Sequence, residues 1–155
     1  MNIRNNNLAI RQLDKKMQHI AALDNHALPE EGWVKTIRKT LNMSLRQLGK
    51  RMMMTPQSVR DIERREVEGT VTLKTLQDAA RALDMKLVYG LVPKDGTLEK
   101  MIERRATEIA TQIVKRTHMT MLLEEQGNSD ERIQEAINEL TDTLKREMPK
   151  MLWEE

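Results

Sequence analysis

The chain has 155 residues, 39% of them hydrophobic and 32% charged, with a formal net charge of +2. This is an ordinary soluble composition, long enough for one domain with an extension or for two small ones. The absence of cysteine excludes disulfides and thiolate metal sites, and no apolar run approaches the ~18 residues of a membrane span.

Taken in order, Met1 to Asn7 are polar and expected to be mobile, without the apolar core of a signal peptide, which points to a cytoplasmic protein. Leu8, Leu13, Met17, Ile20 and Ala21 fall on one helical face, predicting an amphipathic helix to about Leu23. A helix of this length cannot hide its stripe alone, so it is expected to lie on the following domain or on a second subunit. Asp24 to Gly32 contains Pro29 and Gly32 and reads as a linker. In the next helix Trp33, Val34, Ile37 and Leu41 form the inner face, with Lys35, Arg38 and Lys39 interleaved.

The stretch SLRQLGKRMMMTPQSVRDIE, Ser44 to Glu63, is the most informative in the chain. Ser44 with Gln47 three residues on makes a capping box for a helix to about Arg51. Thr55 caps a second helix, with Pro56 at its first position, where a missing N–H costs nothing. Leu45, Leu48, Val59 and Ile62 supply the apolar faces that pack the two together, a helix-turn-helix. At least one of Met52, Met53 and Met54 in the turn is expected in the core. The outer side of the second helix then carries Gln57, Ser58, Arg60, Asp61 and Arg64, amide, hydroxyl and guanidinium groups able to read base edges or hold phosphates.

Between Trp33 and Arg65 nine basic residues (Lys35, Arg38, Lys39, Arg46, Lys50, Arg51, Arg60, Arg64 and Arg65) face only Asp61 and Glu63, the local excess expected where a surface meets phosphates. The residues assigned to the groove are Gln57, Ser58, Arg60 and Asp61, and those assigned to phosphates are Thr55, Arg46, Lys50, Arg64 and Arg65. In its slot Asp61 accepts only from cytosine N4 or adenine N6, and it repels phosphate; it either narrows sequence choice or faces solvent. With no Phe, one Tyr and two Trp, the chain lacks the aromatic platforms of single-strand binders, and twelve Met residues share the packing.

Beyond the motif, Arg64 to Val71 reads as a charged loop with Gly69 at its flexible point. Thr72 caps a periodic helix of Leu73, Leu76, Ala79, Ala80 and Leu83. Lys86 to Val92 favours a strand that Pro93 stops, and a lone strand is expected to pair with its symmetry mate or another partner, building a homodimer. Thr97 caps a long helix with Leu98, Met101, Ile102, Ile109, Ile113 and Met121 or Leu122 along its seam, a break near His118 and an end at Gly127. Ser129 caps the last helix, with Asp130 and Glu131 in its first turn, whose seam is Ile133, Ile137, Leu140, Leu144, Met148 and Met151 or Leu152, bent or ended by Pro149. The implied organisation is all-α: an N-terminal helix and linker over 1–30, a DNA-binding domain with a short strand over 31–93, and a helical extension for dimerisation or partner binding over 94–155.

The arginine in WVKTIRKTL (Arg38), the SLRQLGKRM and TPQSVRDIE helices and the final LKTLQDAARAL helix together resemble the five-helix, lambda-repressor-like DNA-binding domain of the Cro/phage-repressor (XRE) family. That resemblance implies that Arg38 pairs with Glu63, whereas Arg38 taken alone reads as a solvated surface residue. It also implies a glycine in the turn, where this chain has Met53 or Met54. GWVKTIRKTLNMS, EGTVTLKTLQDAARALDMKLVYGLVP and HMTMLLEEQ resemble more closely the group called mobile mystery protein A, small proteins of mobile elements typically encoded beside a Fic-domain partner.

The function expected is therefore that of a homodimeric repressor of its own mobile-element operon, reading an inverted repeat in double-stranded DNA. The competing expectation is an antitoxin-like protein that neutralises a Fic-domain partner. Fic inhibitors carry Ser/Thr-x-x-x-Glu-Gly/Asn; Thr120 to Glu124 and Thr143 to Glu147 match its first part, but Glu125 and Met148 follow, so neither completes it. His19, His26 and His118 lie far apart in sequence, no phosphate loop is present, and carboxylates are scattered, so neither an enzyme nor a bound cofactor or metal is expected.

Overall fold

The computed structural model describes residues 3–24, 28–123 and 130–155. Its regular elements there are all helical: α1 (Ile3–Asp24), α2 (Trp33–Thr40), α3 (Leu45–Met52), α4 (Pro56–Glu68), α5 (Leu73–Ala82), α6 (Leu98–Leu123), α7 (Asp130–Glu147) and a 3-10 turn (Lys150–Trp153). They fall into two compact units, one of Asp24–Gly90 and the other of Met1–Leu23 together with Leu91–Glu155. His26, the Gly127 helix end, the Ser129 cap and the Glu124–Glu125 pair of one incomplete Fic-type motif lie outside the described residues.

In the unit of residues 24–90, α2 to α5 close over Val34, Leu48, Val59, Ala79 and Leu83, with Ile37, Met52, Met54 and Leu76 packed against them. Leu48, Val59 and Ala79 are wholly buried. The caps sit where side-chain chemistry places them. The Ser44 hydroxyl accepts from the Gln47 N–H (3.1 Å), and the Gln47 side chain accepts from the Ser44 N–H (2.8 Å). Thr55 and Thr72 each accept from the N–H three residues on, both at 3.1 Å. Trp33 and Leu41, assigned to the inner face of α2, are instead about half exposed, leaving Val34 and Ile37 as its packing residues.

Two boundaries differ from expectation. The segment from Arg64, expected as a loop, continues α4 in helical form to Glu68, with Gly69 as its cap. Residues this charged extend a helix readily when opposite charges recur at three- and four-residue steps, as Asp61, Arg64, Arg65 and Glu68 do. The strand expected over Lys86–Val92 is not formed: these residues carry no regular structure, because a strand exists only through a ladder and no partner segment lies beside this one among the described residues.

In the other unit α6 and α7 pack against each other over Ala106, Ile109, Ala110, Ile137, Leu144 and Leu152, so the choice between Met151 and Leu152 goes to Leu152. Helix α6 runs past His118 without a break. Met148 ends α7 in a left-handed conformation (φ 45°), and the 3-10 turn follows Pro149. The Arg105 guanidinium donates to the Leu152 and Glu154 carbonyls and fastens that turn to α6. Helix α1 begins at Ile3, within the segment expected to be mobile, and belongs to this unit. The Asp14 carboxylate accepts from the Leu98 N–H (2.7 Å) and the Glu99 N–H (3.4 Å), capping α6 from outside. Leu8 and Leu13 of its expected stripe are exposed. No helix among the described residues is long and apolar enough to cross a membrane.

Candidate nucleic-acid interface

Helix α4 has an inner and an outer side set by its 3.6-residue period. Val59, Ile62 and Glu63 are buried, and Glu66 lies on the same side. Gln57, Ser58, Arg60, Arg64 and Arg65 are exposed and Asp61 is half-buried, all on the opposite side. Next to them Gln57, Ser58, Asp61 and Arg65 line an open groove of about 480 Å³, closed on its far side by Thr72 and Thr75 at the start of α5.

What aims this face is a pair of carboxylates on the inner side. Glu63 takes Arg38 Nε at 2.6 Å and Nη2 at 3.2 Å, while Arg38 Nη1 donates to the Met43 carbonyl at 3.0 Å. The two side chains are 11% and 5% exposed, so Arg38 is a buried structural partner rather than a solvated residue. One turn on, Glu66 accepts from the backbone N–H groups of Trp33 (2.7 Å) and Val34 (3.0 Å) and so caps α2, whose N-cap residue, Gly32, has no side chain to do it. At φ 80° Gly32 is in glycine territory, and a Cβ there would lie 2.9 Å from the Glu66 carboxylate. Sequence reasoning misses the role of Glu66, because the helix start that it caps lies more than thirty positions away.

The turn between α3 and α4 is made without a glycine at its left-handed position. Met53 holds the left-handed position at φ 55° with its side chain 93% exposed, while Met52 and Met54 pack into the core. Gly49 allows the close approach: a Cβ on it would meet the Met54 carbonyl oxygen at 2.7 Å.

The basic excess looks different in three dimensions. Lys35 and Lys39 both bind Glu31 at 2.9 Å, holding its carboxyl down to about 2, chiefly through the Lys39 hydrogen bond and then that of Lys35. Arg38 is taken by Glu63, and Arg51 by the Ala82 carbonyl (2.9 Å) and Asp84 (3.3 Å). Arg64 pairs with Asp61 and Glu68, and Arg65 Nε lies 3.1 Å from Asp61. The Arg64 hydrogen bond, with help from the Arg65 charge, holds the Asp61 carboxyl below its usual range. Arg46, Lys50 and Arg60 are the basic residues of this stretch that form no ion pair among the described residues.

The expected DNA-contacting residues thus fall into two sets. Gln57, Arg60, Arg46 and Lys50 have side chains without a partner among the described residues, with Arg46 and Lys50 four residues apart on one exposed face of α3. Thr55 is occupied as the α4 cap, Ser58 shares a hydrogen bond with it (2.9 Å), and Asp61, Arg64 and Arg65 are bound to one another.

Three helices, α2, α3 and α5, holding the fourth, α4, with its polar face exposed behind a tight turn define a helix-turn-helix domain. Residues 34–89, about a third of the chain, match the helix-turn-helix family model of the XRE type, which suggests a DNA-binding regulator. No curated protein and no solved structure matches the chain.

Proposed function

We propose that the protein is a sequence-specific DNA-binding repressor that acts as a homodimer on an inverted-repeat operator, with its own mobile-element operon as the target, and that it is a binding protein rather than an enzyme. The observation that carries this reading is the outer face of α4: Gln57 and Arg60 stand exposed, without a partner among the described residues, on a helix whose inner face is locked by Arg38–Glu63 and by Glu66. A helix presented in this way enters the major groove, where the Gln57 amide can pair bidentately with adenine and Arg60 with guanine. Arg46 and Lys50 supply phosphate contacts from α3.

Dimerisation has support in the segment after α5. Val88, Tyr89 and Leu91 are 74%, 66% and 81% exposed, and the backbone of residues 86–92 makes no hydrogen bond among the described residues. Strand-forming residues left in this state gain a ladder and a cover by pairing with a second copy, and a two-fold pair sets two reading helices about one DNA turn apart, ~34 Å.

Titration against duplex DNA at several salt concentrations tests the phosphate contacts. With Arg46 and Lys50 of both subunits neutralising about four phosphates, affinity falls about a hundredfold or more from ~50 to ~200 mM salt. Affinity nearly insensitive to salt contradicts the reading.

A further inference from the structure

Asp61 occupies an unusual position for a helix face that meets a polyanion. Its two carboxylate oxygens are divided between Arg64 and Arg65, and Arg64 is held again by Glu68 at 2.9 and 3.0 Å. Of three arginines on the outer side of α4, two are therefore neutralised within the helix and one, Arg60, is not. Both arginines are exposed, at 55%, and Asp61 is partly so, at 39%, so the ion pairs are weak and open readily to a competitor. Asp61 also lines the groove with Gln57 and Ser58, which places its carboxylate beside the proposed base-reading groups rather than on a remote surface.

We infer that Asp61 is a selectivity device: an internal counter-ion that keeps Arg64 and Arg65 from phosphates on arbitrary sequence and releases them when a base amine takes its place as the partner of the carboxylate. Where the base opposite Asp61 is guanine or thymine, the carboxylate meets only acceptors, repels the backbone and keeps both guanidinium groups, so the face offers little net charge. On the correct site, cytosine N4–H or adenine N6–H donates to Asp61, and the arginines turn to the flanking phosphates. The base contact and the phosphate contacts are thereby coupled, and a wrong base forfeits both. Glu68 restrains Arg64 alone and reads no base.

This inference rests on the DNA-binding reading, and the test separates the two. Intact protein and the Asp61→Asn, Asp61→Ala and Glu68→Gln variants are titrated against a random-sequence duplex and against a duplex selected by the intact protein, each at several salt concentrations. Both Asp61 variants bind the random duplex about three- to tenfold more tightly at low salt, with the log affinity against log salt slope steeper by about one to two. In Asp61→Ala the ratio of selected to random affinity falls about tenfold or more. Glu68→Gln tightens random binding while keeping that ratio. Random-duplex affinity unchanged or weakened in the Asp61 variants, or an unchanged ratio in Asp61→Ala, overturns the inference while leaving the DNA reading in place. Failure of the intact protein to bind any duplex overturns the DNA reading, and this inference with it.

Discussion

Met53 adopts a left-handed backbone at φ 55°, where a Cβ crowds the neighbouring carbonyl, and its side chain, 93% exposed, recovers almost nothing by packing. Met53→Gly removes that strain at the cost of extra freedom in the unfolded chain, for a net gain of about 0.5–1 kcal/mol, read as a higher denaturant midpoint with an unchanged slope. A lower midpoint would mean that the turn is not strained. Glu31 offers a second check. Two lysines depress its folded pKa to about 2 from an ordinary 4.5, so the stabilisation they provide is fully present above pH ~4.5 and is lost as pH falls towards 2. Side-chain carboxyl NMR places its midpoint near 2 at low salt and higher at high salt, since the group is exposed and screened. A midpoint near 4.5 at low salt would contradict the Lys35–Glu31–Lys39 geometry.

Helix α4 is held at its two inner carboxylates, Glu63 on Arg38 and Glu66 on the start of α2. Because the first pair is buried, Arg38→Ala strands a charge in the core and costs about 3–5 kcal/mol in equilibrium unfolding. A cost below ~1 kcal/mol would return Arg38 to the role of a surface residue. Helix starts were legible in the sequence because Ser44, Thr55, Thr72 and Thr97 act locally, each within three residues of its own N–H partner. Other boundaries were not legible. Met53, Met148, Asn42 and Asp84 take left-handed conformations at or just past helix ends without being glycine, and α4 extends to Glu68 through ion pairs that resemble loop composition when read linearly. The Glu66 cap joins residues more than thirty positions apart, so no local pattern marks it.

At the scale of the whole molecule, the helix-turn-helix class of the domain and the exposed face of α4 followed from pattern alone, since amphipathic period and caps are sequence properties. The electrostatics did not. Counting nine basic against two acidic residues overlooked Glu31, Glu68 and Asp84, which lie outside the counted stretch but fold back onto it and leave Arg46, Lys50 and Arg60 as its unpaired cations among the described residues. The strand over 86–92 illustrates the complementary case, a propensity with no ladder within one chain and side chains that remain exposed. In the proposed function the cations meet duplex DNA and the 86–92 segment meets a second copy. The most direct test is selection of bound sequences from a randomised duplex by the intact protein, followed by retention of the enriched site by the Gln57→Ala/Arg60→Ala double variant. The account predicts an inverted repeat with half-sites about one helical turn apart, lost on the double substitution while the fold is kept. Absence of any enriched site, or undiminished retention by the double variant, would contradict it.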